Sequence, residues 1–257
     1  MAQSIDERAR PARSPSLGGD YWSQSRRPLA CLFFVGPLLV IYEADLICLG
    51  SGAMRNGADA LLRQALDLLG FNTYFLLPVL TVGILLGWHH VLRQPWHVRR
   101  NVLFGMTFEC LGLAAALWLS WRLYQFLFQA VEHAVGHAVG LNIAHSVGTI
   151  SCYLGAGIYE ELLFRLILLN LGIGLLAWMR VGRRASVIGG IVATSLIFSA
   201  AHYIGASGDE FLWRTFLFRF LAGVYFAVLF RYRGFGIAVG THAFYDVLVG
   251  LSKFVAR

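Results

Sequence analysis

Long apolar runs separated by short polar connections make up the chain from residue 28 onward. Each run is close to or above the roughly 20 residues that an α-helix needs to cross a bilayer. The runs cover residues 28–49, 72–92, 102–130, 147–180, 186–204, 212–231 and 235–252. The pattern therefore predicts an all-α fold, a polytopic transmembrane helical bundle of about seven spans (seven to eight).

The N-terminal segment, residues 1–27, has no apolar periodicity, and its prolines and glycines, Pro11, Pro15, Gly18 and Gly19, lie within nine residues. This composition is typical of a segment that does not fold on its own. We expect a mobile cytoplasmic tail here, followed by a single integral-membrane domain over residues 28–257.

Two other segments depart from the pattern of simple spans. Residues 58–70 place leucines and alanines on one side of a helix and charged residues mostly on the other, which predicts an amphipathic helix along the membrane interface. The run 147–180 is too long for one simple span. We therefore predict a separate interfacial or re-entrant helix over residues 143–157, with the crossing beginning near Tyr159.

The composition agrees with a membrane protein. Hydrophobic residues make up 58% of the 257 positions and charged residues only 14%, and the mean hydropathy is +0.64. The formal net charge of +7 would suit a nucleic-acid partner. The arginines, however, stand at the ends of the apolar runs and form no basic face with interleaved aromatic residues. We therefore expect the lipid bilayer, and no nucleic acid, as a partner.

Basic residues are distributed unequally between alternate connections. If the N-terminus lies in the cytoplasm, 13 of the 21 lysines and arginines fall in inner segments. They are Arg8, Arg10, Arg13, Arg26, Arg27, Arg93, Arg99, Arg100, Arg180, Arg183, Arg184, Arg231 and Arg233. Positive residues favour the cytoplasmic side of a membrane, so this asymmetry predicts a cytoplasmic N-terminus and an external C-terminus.

Ionisable residues interrupt the fourth run. The stretch GIYEELLFRLILLN, residues 157–170, carries Glu160, Glu161 and Arg165, although each uncompensated charge inside a bilayer costs roughly 3 kcal/mol. Glu161 and Arg165 are one helical turn apart and can form an ion pair. This pair leaves Glu160, about 100° round the helix, free to face another group.

Histidines on two later runs are candidate partners for Glu160. His202 ends the fifth run and shares a helix face with Phe198, and His242 shares a face with Asp246 on the seventh run. A desolvated carboxylate near histidines is a natural general base. Two histidines from other helices can hold a water molecule and stabilise an oxyanion. The set is therefore a candidate hydrolytic site.

These residues resemble three motifs of a known family. EELLFR (160–165) fits EExxxR, FSAAH (198–202) fits FxxxH, and HAFYD (242–246) fits HxxxN/D. The three motifs occur in this order in the CPBP (also called ABI) intramembrane proteases, which include the type II CAAX prenyl endopeptidases. The resemblance covers about residues 147–252, which would be the catalytic core.

The resemblance implies hydrolysis of a peptide bond within the membrane or at its edge. Glu160 would activate the water, and His202 would help to hold it. His242 and Asp246 would stabilise the oxyanion. The supporting residues would be Glu161, Arg165 and Phe198.

One position departs from the CAAX-processing branch of the family. That branch typically has Asn at the last motif position, where the amide can donate a hydrogen bond, whereas the carboxylate of Asp246 donates only when protonated. Asp246 is therefore expected either to take part in the oxyanion site or to orient His242.

The sequence leaves two alternatives open for the catalytic mechanism and two for the substrate. The chain has no HExxH motif, so we favour a glutamic-type mechanism without a metal or other cofactor; the alternative is zinc held by Glu160, His202 and His242. The expected substrate is a membrane-embedded or lipidated protein or peptide. The predicted topology puts the site toward the outer face. It therefore favours a sorting-signal peptidase of the bacterial cytoplasmic (inner) membrane over a protease for cytoplasmic CAAX substrates.

Two other functions fit a bundle with buried ionisable residues. A transporter or proton-relay protein requires polar residues along a path across the bilayer. A non-catalytic immunity or scaffold protein could keep the same fold. The intact motifs favour the protease.

Two further groups of residues are expected to have structural roles. Close helix packing is expected at Gly155, Gly157, Gly172 and Gly174. Positions facing the bundle or near span ends are expected for Glu43, Asp45 and Glu109.

Overall fold

The computed structural model describes residues 20–50, 55–71, 74–135, 150–205 and 208–255, with the backbone alone for 131–135 and 253–255. The described part of the chain contains helices and no strand. The helices are α1 (Tyr21–Gln24), α2 (Pro28–Leu49), α3 (Gly57–Leu68), α4 (Leu76–Val91), α5 (Arg100–Val135), α6 (Ile150–Glu160), a π-helical segment (Glu161–Leu169), α7 (Asn170–Trp178), α8 (Arg183–Ala201), α9 (Trp213–Arg233) and α10 (Phe235–Val255). The predicted all-α fold is confirmed.

Six helices of the described chain are long and apolar enough to cross a membrane, and they correspond to six of the seven predicted runs. The second run forms α4, whose 16 residues extend about 24 Å, less than the roughly 30 Å of a hydrocarbon core. α4 packs along α2, and His89 near the end of α4 interacts electrostatically with Arg27 before α2. The two helices are therefore antiparallel, and α4 returns the chain along most of the bundle.

Large apolar side chains cover the outside of the bundle. Examples that are more than half exposed are Phe33, Val40, Phe104, Phe108, Leu119 and Leu171. Such a continuous apolar surface is rare on soluble monomers and is suited to lipid. The protein is a multi-pass integral membrane protein.

The fourth run forms one continuous helix, Ile150–Trp178. For the described residues, the separate helix predicted before Tyr159 is wrong, because the chain from Ile150 already forms α6 and packs against α2 and α10. The rest of that predicted helix, residues 143–149, lies outside the described residues. Glu160 is therefore about 15 Å along the crossing helix from Ile150.

The middle of this crossing helix is π-helical, over Glu161–Leu169. A π-helix bonds residue i to i+5, so its return to α-helix leaves carbonyl groups without their usual partners. The side-chain amide of Asn170 donates to the carbonyl oxygens of Arg165 at 3.3 Å and Leu166 at 2.8 Å. Asn170 thereby satisfies the backbone where the wide turn ends.

Small residues allow α6 to approach its neighbours, as predicted for two of the four glycines. A Cβ on Gly157 would lie 2.7 Å from the backbone nitrogen of Ala243, and a Cβ on Gly155 would overlap the ring of Tyr42. The same expectation for Gly172 and Gly174 is wrong, because nothing lies within 4 Å of a Cβ at either position. Both glycines lie on α7 and face away from the neighbouring helices.

A polar cluster ties the start of the chain to α5 and α9. Arg233 bonds both carboxylate oxygens of Glu109, at 2.5 and 2.7 Å, and its guanidinium lies 4.0 Å from the ring centroid of Trp22. Tyr21 donates to Glu109 at 2.5 Å. Burial and the nearby carboxylate raise the pKa of the Tyr21 hydroxyl above its ordinary value, so it stays protonated and donates. Glu109 faces the bundle, as expected.

This cluster corrects the predicted tail. Residues 20–27 belong to the fold, because α1 and the turn after it pack on α5 and bond Arg233. A tail that ends at residue 27 is therefore too long. Residues 1–19 lie outside the described residues.

The bundle has two distinguishable ends. At one end α2, α5 and α8 begin, and α4, α7 and α9 finish. We call it the arginine-rich end; it carries Arg26, Arg27, Arg93, Arg99, Arg100, Arg180, Arg183, Arg184, Arg231 and Arg233. α3 follows α2 at the opposite end, which we call the α3 end.

Replacing Gly157 with alanine should destabilise the bundle. The added Cβ would meet Ala243 at 2.7 Å, and such overpacking typically costs about 1–3 kcal/mol. Gly172→Ala is the matched control, because its Cβ meets nothing within 4 Å and alanine favours a helix. Thermal unfolding in detergent should give a lower Tm for Gly157→Ala and an unchanged or higher Tm for the control. Equal Tm values would contradict the close approach of α6 and α10.

α4 should carry the chain across the membrane despite its length. Alkaline phosphatase is active outside the cytoplasm, and green fluorescent protein fluoresces inside it. With the predicted orientation, insertion after Leu69 should give phosphatase activity, and insertion after Gln94 should give fluorescence. If the same reporter is active at both positions, α4 does not cross.

Candidate active site

Glu161 joins two of the motif-bearing helices. Its Oε1 accepts a hydrogen bond from His242 Nδ1 at 2.7 Å and forms an ion pair with Arg165 Nη1 at 3.1 Å. The predicted pair with Arg165 is present, and the bond to His242 connects α10 to the π-helical segment. Because a carboxylate can only accept, Nδ1 of His242 carries a proton and Nε2 faces away from Glu161.

Arg165 is buried, with its side chain 2% exposed. Its guanidinium lies 4.3 Å from the ring centroid of Phe198 and 5.4 Å from that of Phe226. Nη2 also donates to the carbonyl oxygen of Gly223 at 3.3 Å. These contacts and the Glu161 carboxylate offset the cost of burying the positive charge.

Glu160 has one bonded oxygen and one free oxygen. Oε1 accepts a hydrogen bond from Asn56 Nδ2 at 2.9 Å. Oε2 has no hydrogen-bond partner among the described residues and lies 3.8 Å from His242 Nε2. This separation is too long for a direct hydrogen bond but suits a bridging water. Glu160 also interacts electrostatically with His202.

His202 stands at the end of α8 and is oriented by Phe198. Its Nδ1 donates to the carbonyl oxygen of Phe198 at 2.8 Å, because a carbonyl can only accept; in the neutral ring, Nε2 is then an acceptor. The Phe198 ring meets the His202 ring edge to face, with centroids 4.9 Å apart. The FxxxH segment therefore holds the imidazole through both backbone and ring.

Asp246 lies beside the nitrogen of His242 that Glu161 leaves open. Its Oδ2 is 3.6 Å from Nε2, and its side chain is 22% exposed. The hydrogen bond from Nδ1 to Glu161 already fixes the tautomer of His242. Asp246 therefore faces the same side of the imidazole as Glu160.

Sequence reasoning missed two residues of the site. Phe226 on α9 stacks on His242, with centroids 4.4 Å apart and an interplanar angle of 15°; it lies in an apolar run that contains no distinguishing signal. Asn56 is the N-cap of α3, and its Oδ1 accepts from the Ala58 backbone at 2.8 Å. An Asn before an amphipathic run is a recognisable cap signal. The signal does not reveal that the amide bonds Glu160.

α3 is amphipathic as predicted, but two of its charged residues, Asp59 and Arg63, face the bundle. Leu61 and Leu68 are 54% and 89% exposed, whereas Asp59 is 0% exposed. Asp59 accepts hydrogen bonds from Tyr42 at 3.0 Å and Arg63 at 2.6 Å. Leu61 and Leu68 are therefore directed outward, whereas Leu62 and Leu66 pack on the core. Asp59 anchors the helix next to Glu160.

The same cluster reaches the residue that precedes Glu160. Glu43 accepts a hydrogen bond from the Tyr159 hydroxyl at 2.7 Å and forms an ion pair with Arg63 at 3.3 Å. Asp45 accepts from Ser151. These acidic side chains of α2 hold α3 and α6 together, which is the bundle-facing role expected for them.

The fit of the motif residues to a metal can be tested on their arrangement. Among the described residues, no three His, Cys, Asp or Glu side chains are arranged to hold a metal ion. The set named for a zinc alternative, Glu160, His202 and His242, does not fit in this arrangement.

One comparison with known proteins finds a family match for this segment. Residues 142–248 match the model of the protein family described as Type II CAAX prenyl endopeptidase Rce1-like. The match includes all three motifs and leaves out α3 and its cap. No curated protein and no solved structure matches the chain. The match covers less than half of the chain and supports the resemblance to the CPBP family: residues 142–248 are similar to the Rce1-like type II CAAX prenyl endopeptidases.

Proposed function

We propose that the protein is an intramembrane endopeptidase in which Glu160 activates the water that attacks a peptide bond. The family match supports the reaction class. The proposed mechanism rests on one observation. The buried Oε2 of Glu160 has no partner among the described residues and lies 3.8 Å from His242 Nε2. A water molecule in this gap contacts a base on one side and an imidazole on the other.

Glu160 and His202 act on the same water. With Nδ1 of His202 bonded to the Phe198 carbonyl, Nε2 of the neutral ring accepts a hydrogen from the water. A water that donates to both residues presents its oxygen lone pair to the substrate carbonyl. Glu160 takes one proton as the carbon–oxygen bond forms and then delivers it to the leaving amine nitrogen.

His242 stabilises the oxyanion. When both ring nitrogens are protonated, Nδ1–H remains bonded to Glu161, and Nε2–H donates to the oxyanion. The stacked Phe226 ring restricts rotation of the imidazole. A protonated Asp246 adds a second donor, whereas an ionised Asp246 stabilises the positive charge on His242.

The depth of the site in the bundle favours substrates that enter from the α3 end. Glu160 lies about 15 Å from the start of α6 at that end, and Asp246 keeps a partly exposed side chain. With the N-terminus in the cytoplasm, the α3 end is external. C-terminal sorting signals of exported bacterial membrane proteins then suit the site better than prenylated cytoplasmic substrates.

The distribution of polar groups disfavours a transporter or proton relay. Ile237, Ala238 and Val239 are each 0% exposed, and on α10 they lie between His242 and the end that contacts the Glu109–Arg233 pair. A relay needs polar groups or water along the whole path. The described residues on this side of α10 form an apolar layer instead.

Glu160→Gln should abolish proteolysis. Glutamine keeps the shape of the side chain but cannot take a proton from water, so kcat should fall on the order of 10³-fold. The assay uses purified protein in proteoliposomes with two probes: a prenylated CAAX peptide and a peptide with a C-terminal hydrophobic sorting tail. Glu210→Gln makes the same change at an exposed residue and should leave kcat unchanged.

Two outcomes would contradict the mechanism. Full activity of Glu160→Gln would remove Glu160 as the base. Loss of wild-type activity on chelation, restored by zinc, would replace the metal-free route with the metal-dependent alternative. If neither probe is cleaved by wild-type protein and Glu160→Gln keeps full function in cells, a non-catalytic immunity or scaffold role is favoured.

Asn56 should position Glu160 for catalysis. Its amide donates to Oε1 at 2.9 Å, which aims the free Oε2 at His242. Asn56→Asp and Asn56→Ser both keep a good helix cap, but neither can reproduce this amide hydrogen bond. We expect kcat to fall roughly tenfold in both variants with little change in KM, since a misplaced general base loses efficiency.

A melting curve separates positioning from folding. Asn56→Ser should keep the Tm of the wild type to within a few degrees, because the cap is retained. Asn56→Asp should have a lower Tm, because its carboxylate would lie next to that of Glu160. An unchanged kcat in both variants would show that the bond does not position Glu160. A loss of kcat accompanied by a large fall in Tm of Asn56→Ser would assign Asn56 a structural role only.

A further inference from the structure

A second candidate binding site lies on the side of the bundle, away from the catalytic residues. A groove of about 550 Å³ is lined by α4, the π-helical segment and the end of α9. Its apolar walls include Ile84, Trp88, Leu166 and Phe230. The volume falls within the range of small-molecule sites, about 300–1,000 Å³. α4 packs mainly on α2, which leaves this side of α4 open to a ligand.

Two arginines flank the groove. Arg26 precedes α2, and Arg231 lies in the last turn of α9. Both are exposed, and neither has a hydrogen bond or ion pair with the described part of the chain. The backbone brings them close, because a Cβ on Gly234 would lie 3.5 Å from the Cα of Arg26. Arg233, by contrast, is neutralised by Glu109.

The polar and apolar parts of the groove are arranged along the membrane normal. The two arginines lie at the arginine-rich end. Ile84 is about 10 Å from the end of α4, and Leu166 is about 18 Å from the end of α7. A phospholipid has the same arrangement, with a charged head group at the membrane surface and acyl chains directed toward the bilayer centre. A free inorganic anion would leave the apolar walls uncovered.

We propose that the groove binds an anionic phospholipid from the leaflet at the arginine-rich end. Its phosphate lies between Arg26 and Arg231, and an acyl chain lies against Ile84, Trp88 and Leu166. Basic pockets between transmembrane helices favour anionic head groups over zwitterionic ones. The bound lipid covers the outer side of the segment that follows Arg165. This proposal does not depend on the proposed function.

The test measures lipid binding to the purified full-length protein in detergent by native mass spectrometry. Dioleoyl phosphatidylglycerol should bind wild-type protein more tightly than dioleoyl phosphatidylcholine by on the order of tenfold. Arg26→Gln with Arg231→Gln should remove this preference, because each arginine contributes to head-group attraction. Arg183→Gln with Arg184→Gln is the matched control, since it removes the same charge at the same end from residues outside the groove, and it should keep the preference.

A second variant tests the apolar half. Ile84 is 40% exposed, and Ile84→Trp fills the groove without altering charge, so it should weaken phosphatidylglycerol binding by a similar factor. Inorganic phosphate alone should not displace the lipid. Four outcomes would each overturn the proposal: equal affinity of the wild-type protein for both lipids, an unchanged preference in the double arginine variant, an unchanged phosphatidylglycerol affinity in Ile84→Trp, or displacement of the lipid by phosphate.

Discussion

The cost of holding charge inside a bilayer is the constraint on which the site depends. Glu161 meets it by bonding Arg165 on its own helix and His242 on α10. One carboxylate thus compensates a guanidinium and orients an imidazole. Arg165 and Nδ1 of His242 both bind Glu161, and Glu160 keeps an oxygen without a hydrogen-bond partner among the described residues. In this environment, such an oxygen is suited to chemistry rather than to stability.

Helix geometry makes this arrangement attainable. Glycines bring α6 against α10, and the π-helical segment begins at Glu161, where wider turns change the directions of the side chains. Asn170 satisfies carbonyl groups at the end of that segment. π-Helical turns within α-helices are frequent at functional sites. Here the distortion begins directly after Glu160, the proposed general base, and contains Glu161 and Arg165, which are proposed to support it.

The two ends of the bundle serve different purposes. At the arginine-rich end, Glu109 and Arg233 hold α1, α5 and α9 together. Arg26 and Arg231, which have no ion pair with the described residues, lie at the proposed lipid groove. At the α3 end, Asp59 and Glu43 anchor a helix whose cap contacts the carboxylate of Glu160. Buried apolar residues of α10 separate the two polar regions. Polar groups are thus concentrated where structure or chemistry requires them.

Local patterns in the sequence determined the helical class, six of the spans and the three motifs, because apolar length and i, i+4 spacing are properties of neighbouring residues. They could not determine the Asn56–Glu160 bond, which joins residues 104 positions apart, or the stacking of Phe226 on His242. Packing also decided that Asp59 and Arg63 of α3 face inward and that Gly172 and Gly174 face outward. The side on which a helix meets its neighbours is a property of the assembled bundle. The sequence therefore named the candidate reacting groups. Only the tertiary structure decided which oxygen of Glu160 is held by Asn56 and which has no partner among the described residues.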